Sequence, residues 1–138
     1  LYMTTNMHAF SPELGKIEAI SSSPAAARKA ETAQAAFDDF IKNVNEYQPK
    51  FGFNADCVGG VESCKKQTDH EIFLIAKFLG NFFALKAMTS VNGKIMALSG
   101  NTLNPYYEAK LGVIESGAYA DILVVDGNPM ASRPSASS

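Results

Sequence analysis

Residues 50–56, Lys-Phe-Gly-Phe-Asn-Ala-Asp, contain the strand around which the rest of the chain is organised. The alternation of Phe51, Gly52 and Phe53 is typical of a short β-strand, and the polar residues that end at Asp56 predict a loop. Where strands alternate with helices, ligands and catalytic groups collect at the carboxyl ends of the strands. Asp56 is therefore the first candidate for chemistry. The alternative, that Asp56 starts a turn or caps a local N–H group, stays open.

The residues before this strand predict a strand followed by a long helix. Leu1 to Thr5 favours a strand, and residues 6–15 are typical of a loop, which would place Thr5 and Asn6 near the same site. Serines 21–23 followed by Pro24 indicate a helix start, and Pro49 indicates its end. An apolar stripe runs along this helix at helical spacing: Phe37, Phe40, Ile41 and Val44. The pattern as a whole predicts a parallel βαβ unit.

The residues after the strand predict mainly helices. A loop over residues 59–67 is expected to precede a helix that begins at Thr68, with Glu71 completing a capping box. Residues 72–79 are apolar almost all round, which predicts burial on more than one side, and Gly80 ends the helix. Asn81 is expected to cap a helix through Met88, and Thr89 to cap another that ends near residues 99–100. The inner positions of this region are Leu85, Met88, Val91, Ile95 and Leu98.

The last part of the chain changes character. Residues 111–114 and 119–126 read as two short strands joined by a turn that contains Gly117. The residues divide into a first part at 1–100, C-terminal strands at 101–129 and a flexible tail at 130–138.

Composition limits the classes of function. The 138 residues suit one domain, and a formal net charge of -2 without a basic run gives no electrostatic footprint for nucleic acid. The longest apolar stretch, residues 72–85, is interrupted by Lys77, Gly80 and Asn81, so no membrane span is expected. The first residues have no signal-peptide pattern and resemble the middle of a longer chain. Cys57 and Cys64 fit reduced thiols at least as well as one disulfide, and the compartment is left open.

Three segments resemble the C-terminal part of the metal-dependent amidohydrolase superfamily, in its imidazolonepropionase-like and prolidase-like branch. Residues 111–129, Leu-Gly-Val-Ile-Glu-Ser-Gly-Ala-Tyr-Ala-Asp-Ile-Leu-Val-Val-Asp-Gly-Asn-Pro, resemble the C-terminal signature of that family. Residues 84–94 are similar to the helix and the threonine-containing turn that precede the signature, and residues 53–56 are similar to the end of the eighth barrel strand. The order and spacing of these segments agree over residues 1–129.

The resemblance implies an α/β fold. Residues 1–100 would be a C-terminal fragment of a (β/α)8 barrel, about its last two β/α units, and residues 101–129 would be short C-terminal strands of a small β-domain built from both chain ends. It implies hydrolysis of a C–N bond in an amide, a cyclic amide or a dipeptide by metal-activated water. Zinc is the implied metal, and Asp56 is similar to the aspartate that contacts it and carries protons. Thr5, Asn6 and His70 are candidate substrate-binding residues.

The family's other metal ligands are missing from the pattern. They include a His-x-His pair, a bridging lysine or equivalent acid and two further histidines, whereas this chain has His8 and His70, neither in that spacing. A complete barrel takes about 250 residues. The chain is therefore expected to be an inactive part of the enzyme, which either needs its missing N-terminal part or forms a homo-oligomer.

Other interpretations of the same residues carry less weight. Cys57, Cys64, His70 and Glu71 could form a zinc site, but their spacing fits no common ligand pattern. Gly59 and Gly60 lack the residues that would follow in a phosphate-binding loop. His70 also fits a plain surface residue. The alternative from another class is a non-catalytic oligomeric module, because a partial barrel would expose strand edges and apolar helix faces.

Overall fold

The computed structural model describes residues 1–10, 23–44, 50–57 and 59–131. In chain order, the elements are β1 (Met3–Thr5), α1 (Met7–Phe10), α2 (Pro24–Asn43), β2 (Phe51–Phe53), α3 (Val61–Leu79), α4 (Asn81–Lys86), a π-helical turn (Ala87–Val91), α5 (Asn92–Ala97) and α6 (Gly100–Leu103).

The two strands lie side by side and run parallel, with Met3 opposite Phe51 and Thr5 opposite Phe53. Because α2 lies between them in the chain, the predicted βαβ unit is confirmed. The predicted loop after β1 is wrong at its start, since Met7 to Phe10 form a short helix. Its remaining residues, together with Ser21, Ser22 and Pro49, lie outside the described residues.

Helix α2 begins and packs as its sequence predicts. The hydroxyl of Ser23 accepts a hydrogen bond from the Ala26 N–H at 3.2 Å, and Pro24 occupies the first helical position. The first N–H groups of a helix have no acceptor within the helix, and the Ser23 hydroxyl supplies an acceptor for one of them. The apolar stripe faces the core, with Phe37 and Val44 buried and Phe40 and Ile41 packed against it.

The core is centred on β2. Phe51 is fully buried, and its ring lies 5.6 Å from that of Phe40 in α2 and 5.4 Å from that of Phe83 in α4. The buried cluster around it comprises Met7, Phe37, Leu74, Ile75, Ala84 and Ala87. Phe51, the first residue of β2, therefore anchors the sheet to α2 and α4.

Helix α3 starts earlier than its sequence suggested. It begins at Val61 with Gly60 as N-cap, so Thr68 lies inside the helix and no loop covers residues 61–67. This segment contains no proline, Glu62 suits the positive end of a helix, and a Gln67 to Ser63 hydrogen bond of 2.7 Å links successive turns. Burial is also one-sided: Leu74 and Ile75 are buried, whereas the aromatic side chains at 73 and 78 are exposed.

Helices α4 and α5 form one continuous helical run, because the π-helical turn joins them without a break. The predicted cap at Thr89 is therefore wrong: its hydroxyl donates to the Leu85 carbonyl one turn earlier, at 2.7 Å. Asn81 does not cap α4 either, since its amide donates to the Ala131 carbonyl at 2.7 Å. Val91 is buried, but Leu98 is 67% exposed. No helix in the described ranges combines the length and the apolar character needed to cross a bilayer.

The two predicted C-terminal strands do not form within residues 111–131 of the described chain. The segment instead lies against the helical run, with Leu111 against Gly93 and Gly112 against Thr89. Ile114, Leu123 and Val124 are at least 90% exposed. A strand is stable when a neighbour satisfies its backbone groups and covers one face, and no strand among the described residues pairs with this segment. The assignment to a barrel fragment stays a prediction, and residues 132–138 of the predicted tail lie outside the described residues.

Candidate functional site

Polar side chains from both strands meet at the carboxyl edge of the sheet. Asn6 directly follows β1, and its Nδ2 donates to Oδ2 of Asp56, beyond β2, at 3.4 Å. Asp56 is exposed. Because parallel strands end at the same edge, residues far apart in sequence are brought into contact. The geometry thus places the predicted Asn6 and Asp56 together.

The backbone around Asp56 is shaped by a local turn. Its N–H donates to Oδ1 of Asn54 at 3.2 Å, which is an Asx turn. Asp56 has φ +41°, a left-handed conformation that aspartate adopts more readily than most residues. The Asn54 side chain therefore holds the turn that presents the Asp56 carboxylate to Asn6.

Asn6 also has an unused acceptor. Its Oδ1 is buried and has no hydrogen-bond partner among the residues that the structure describes. The side chain lines a cavity of about 300 Å³ whose walls are formed by Thr4, Met7, Ala36, Phe37, Phe40 and Asn54. A buried acceptor without a donor costs about 1 to 3 kcal/mol.

A buried carboxylate fixes the chain immediately after Asn6. Glu71 of α3 has no exposed surface and accepts hydrogen bonds from the N–H groups of Met7, at 2.9 Å, and His8, at 2.6 Å. Its Oε2 also lies 3.2 Å from Nδ1 of His8. Burial raises the pKa of Glu71, and the bonds from His8 and Met7 oppose this change. Glu71 therefore ties the end of β1 to α3.

Sequence reasoning missed this pair. It placed His8 in a loop and interpreted Glu71 as part of a helix start. The signal that could have found Glu71 is its spacing: with Leu74 and Ile75 at i+3 and i+4, it lies on the buried face of α3. A charged residue on such a face needs partners. The first N–H groups of α1 supply them, because they have no acceptor within their own helix.

The other candidate substrate-binding residues are placed differently. Thr5 ends β1, with its backbone opposite Phe53. His70 lies on α3, where its ring stacks against Phe73 with a centroid distance of 6.2 Å. Asn92, which sequence reasoning did not select, donates through Nδ2 to the Phe53 carbonyl at 3.0 Å and so fixes the end of β2.

The described residues do not form a zinc site. Within residues 1–10, 23–44, 50–57 and 59–131, no group of three or more histidine, cysteine, aspartate or glutamate side chains is arranged to hold a metal. The alternative zinc site of Cys57, Cys64, His70 and Glu71 is therefore not formed in this part of the chain. Glu71 instead accepts hydrogen bonds from the backbone of α1. Asp56 remains the single predicted ligand.

The chain matches no family model, no curated protein and no solved structure. The support for a functional proposal therefore comes from these residues, their geometry and the sequence resemblance.

Proposed function

We propose that this chain is the C-terminal part of a metal-dependent amidohydrolase that cleaves a C–N bond in an amide, a cyclic amide or a dipeptide. The observation that supports the proposal is the parallel βαβ unit, which brings Asn6 and Asp56 into contact at the carboxyl edge of the sheet. That edge is where strand-and-helix enzymes build their sites. The sequence resemblance adds the reaction class.

Asp56 is proposed to carry protons. Its exposed carboxylate accepts a proton from the attacking water and delivers it to the leaving nitrogen, which is general base and then general acid catalysis. The hydrogen bond from Asn6 is made to Oδ2 of Asp56 and orients the carboxylate. The other oxygen, Oδ1, is therefore proposed to accept and deliver the proton.

Asn6 is the best supported substrate contact. Its buried Oδ1 has no partner among the described residues, and an amide N–H is the kind of donor that it would accept. The neighbouring cavity is lined mainly by apolar side chains, which suits an uncharged substrate group. Thr5 and His70 remain proposed contacts on the basis of sequence alone.

Zinc is part of the proposal through the resemblance, and its chemistry would be to activate the attacking water. The donor set in the described residues does not fit a zinc ion, because Asp56 is its single candidate ligand. The remaining ligands would have to come from other residues, such as an N-terminal part of the same enzyme.

The test uses the natural protein that carries this sequence, purified from its own source. We expect a mass above 14.8 kDa, or a second polypeptide that co-purifies, together with zinc and hydrolysis of a panel of dipeptides and N-acyl amino acids. Asp56→Asn should lower kcat by about 10²- to 10⁴-fold at an unchanged melting temperature. The matched control is Asp121→Asn, at an exposed position between Leu111 and Ala131. Near-normal turnover of Asp56→Asn would refute the role of Asp56.

A second candidate, a non-catalytic oligomeric module, is favoured by one observation. Ile114 and residues 122–125, five large apolar residues, are 57 to 98% exposed, and monomers rarely expose large apolar patches. This candidate predicts a defined homo-oligomer of the 138-residue chain in sedimentation, with neither zinc nor hydrolysis. A monomer at micromolar concentration would contradict it.

A further inference from the structure

A side chain of α5 is bonded to the carboxyl end of β2. Nδ2 of Asn92 donates a hydrogen bond to the carbonyl of Phe53, the last residue of the strand, at 3.0 Å. The contact is partly buried and joins residues 39 positions apart. Phe53 is followed by Asn54, whose side chain holds the turn at Asp56. Asn92 therefore fixes the backbone just before the turn that presents the Asp56 carboxylate.

Gly52 leaves the space that the Asn92 side chain occupies. A Cβ atom at position 52 would lie 2.5 Å from Oδ1 of Asn92 and would also overlap the end of the Ile95 side chain. Asn92 and Ile95 are three positions apart in α5, so they lie on one face of the helix. The φ of Gly52 is not positive, so space and not backbone conformation requires glycine at this position. A larger residue would push the Asn92 amide away from the strand.

The helical run changes its winding directly before Asn92. The π-helical turn ends at Val91, and both Ala87 and Val91 of this turn are buried. A π-helical turn inserts an extra residue into an α-helix, so it rotates the residues that follow about the helix axis. Such turns are frequent at functional sites. The turn thus sets the side from which Asn92 meets β2.

We propose that Asn92 is a positioning residue for Asp56 and that Gly52 is the glycine that admits it. Asn92 holds the carboxyl end of β2 beside β1, where Asn6 donates to Oδ2 of Asp56 at 3.4 Å. The role of Asp56 in the reaction rests on the proposed function, whereas the link from Asn92 to Asp56 is measurable without turnover. A displaced carboxylate lowers kcat, because about 1 Å of misplacement can cost about 10²-fold.

The first experiment needs no enzymatic activity. In NMR spectra of the full 138-residue chain, we expect a nuclear Overhauser effect between the Asn6 side-chain amide and the β-protons of Asp56. Asn92→Asp keeps the shape of the side chain but replaces its donor with an acceptor, so this variant should lose the signal. The matched control, Asn101→Asp at an exposed position of α6, should keep it. A signal that is absent from the wild-type chain, or that persists in Asn92→Asp, would overturn the proposal.

Two further measurements cover the case in which Asn92→Asp does not fold. Gly52→Ala keeps Asn92 and adds the Cβ that displaces its amide, so it should lose the same signal while circular dichroism shows that the helices persist. In the wild-type chain, the side-chain amide of Asn92 should exchange with solvent about tenfold or more slowly than that of Asn101, because a partly buried hydrogen bond must open first. Equal exchange rates would contradict the proposal without any variant.

Turnover separates positioning from general stability. In the natural protein, Asn92→Asp and Gly52→Ala should lower kcat by about 10- to 100-fold and leave KM within about threefold, because the substrate contacts are unchanged. Urea unfolding gives the folded fraction of each variant, by which kcat is corrected. Normal kcat in Asn92→Asp, with a loss in Asp56→Asn, would refute the positioning role and keep the proposed function. A wild-type protein without hydrolysis would refute the proposed function, and the NMR signal would still decide the link between Asn92 and Asp56.

Discussion

Replacing Glu71 with alanine tests whether a buried carboxylate holds the end of β1. Glu71 is fully buried in α3 and accepts the N–H groups of Met7 and His8 at 2.9 and 2.6 Å. The substitution removes both acceptors and leaves the backbone of α1 in place. The buried N–H of Met7 and the partly buried N–H of His8 would then lack partners.

The expected cost follows from these contacts. Each unsatisfied buried donor costs about 1 to 3 kcal/mol, which gives about 2 to 6 kcal/mol for the two. Removing the carboxylate also removes the cost of burying its charge, and water entering the space would satisfy part of the backbone. Alanine is also slightly better in a helix. These gains leave an expected loss of about 2 to 4 kcal/mol in the free energy of unfolding.

The assay is urea unfolding followed by far-UV circular dichroism, because the chain contains no tryptophan. The matched control is Glu31→Ala on an exposed position of α2, which should change the free energy of unfolding by less than about 0.5 kcal/mol. Glu71→Gln keeps one acceptor oxygen, so its loss in the free energy of unfolding should lie between those of Glu31→Ala and Glu71→Ala. A loss below about 1 kcal/mol for Glu71→Ala would refute the idea that Glu71 fixes the end of β1.

Three further predictions concern charge, packing and capping. Burial raises the pKa of Glu71, so the folded state binds the proton of the Glu71 carboxyl more tightly than the unfolded chain does. The free energy of unfolding of wild type, relative to that of Glu71→Gln, should therefore fall as the pH rises through the raised pKa. Urea unfolding curves that show a rise would contradict this prediction. Gly93→Ala should lower the melting temperature, although alanine favours helices by about 1 kcal/mol, because the new Cβ overlaps the Leu111 carbonyl. A higher melting temperature would show that Leu111 does not pack against α5. Ser23→Ala should cost about 1 kcal/mol in urea unfolding and Ser23→Asp much less, and equal losses would exclude capping.

The parts of the fold that the sequence predicted are those set by local patterns. Proline after serine marks the start of α2, the helical spacing of Phe37 and Val44 marks its buried face, and the alternation around Gly52 marks β2. Each signal lies within one element. The contact of Asn6 with Asp56 also followed, because parallel strands must end at one edge.

The parts that the sequence did not predict depend on partners far along the chain. The burial of Glu71 depends on α1, which lies more than 60 residues earlier. Glycines 59 and 60 fit a loop or a helix cap equally well, and Gly60 caps α3 because the following residues continue as helix. Residues 111–114 and 119–126 have the composition of strands, but composition selects a strand only when a neighbouring strand is present.

The unpaired strand edges and the exposed apolar residues bear on both proposed functions. A two-stranded sheet is marginal by itself, and in the described residues β1 and β2 each keep one unpaired edge while residues 122–125 are exposed. An N-terminal enzyme part would cover the unpaired edges and residues 122–125, and so would a second copy of the chain. Association with either partner should therefore slow amide hydrogen exchange at Val124. The two differ at Asp56. A completed enzyme would surround its exposed carboxylate with metal ligands and make Asp56→Asn lose turnover, whereas an oligomeric module would assemble equally well with either residue. Comparing assembly and turnover in one variant therefore separates the two functions.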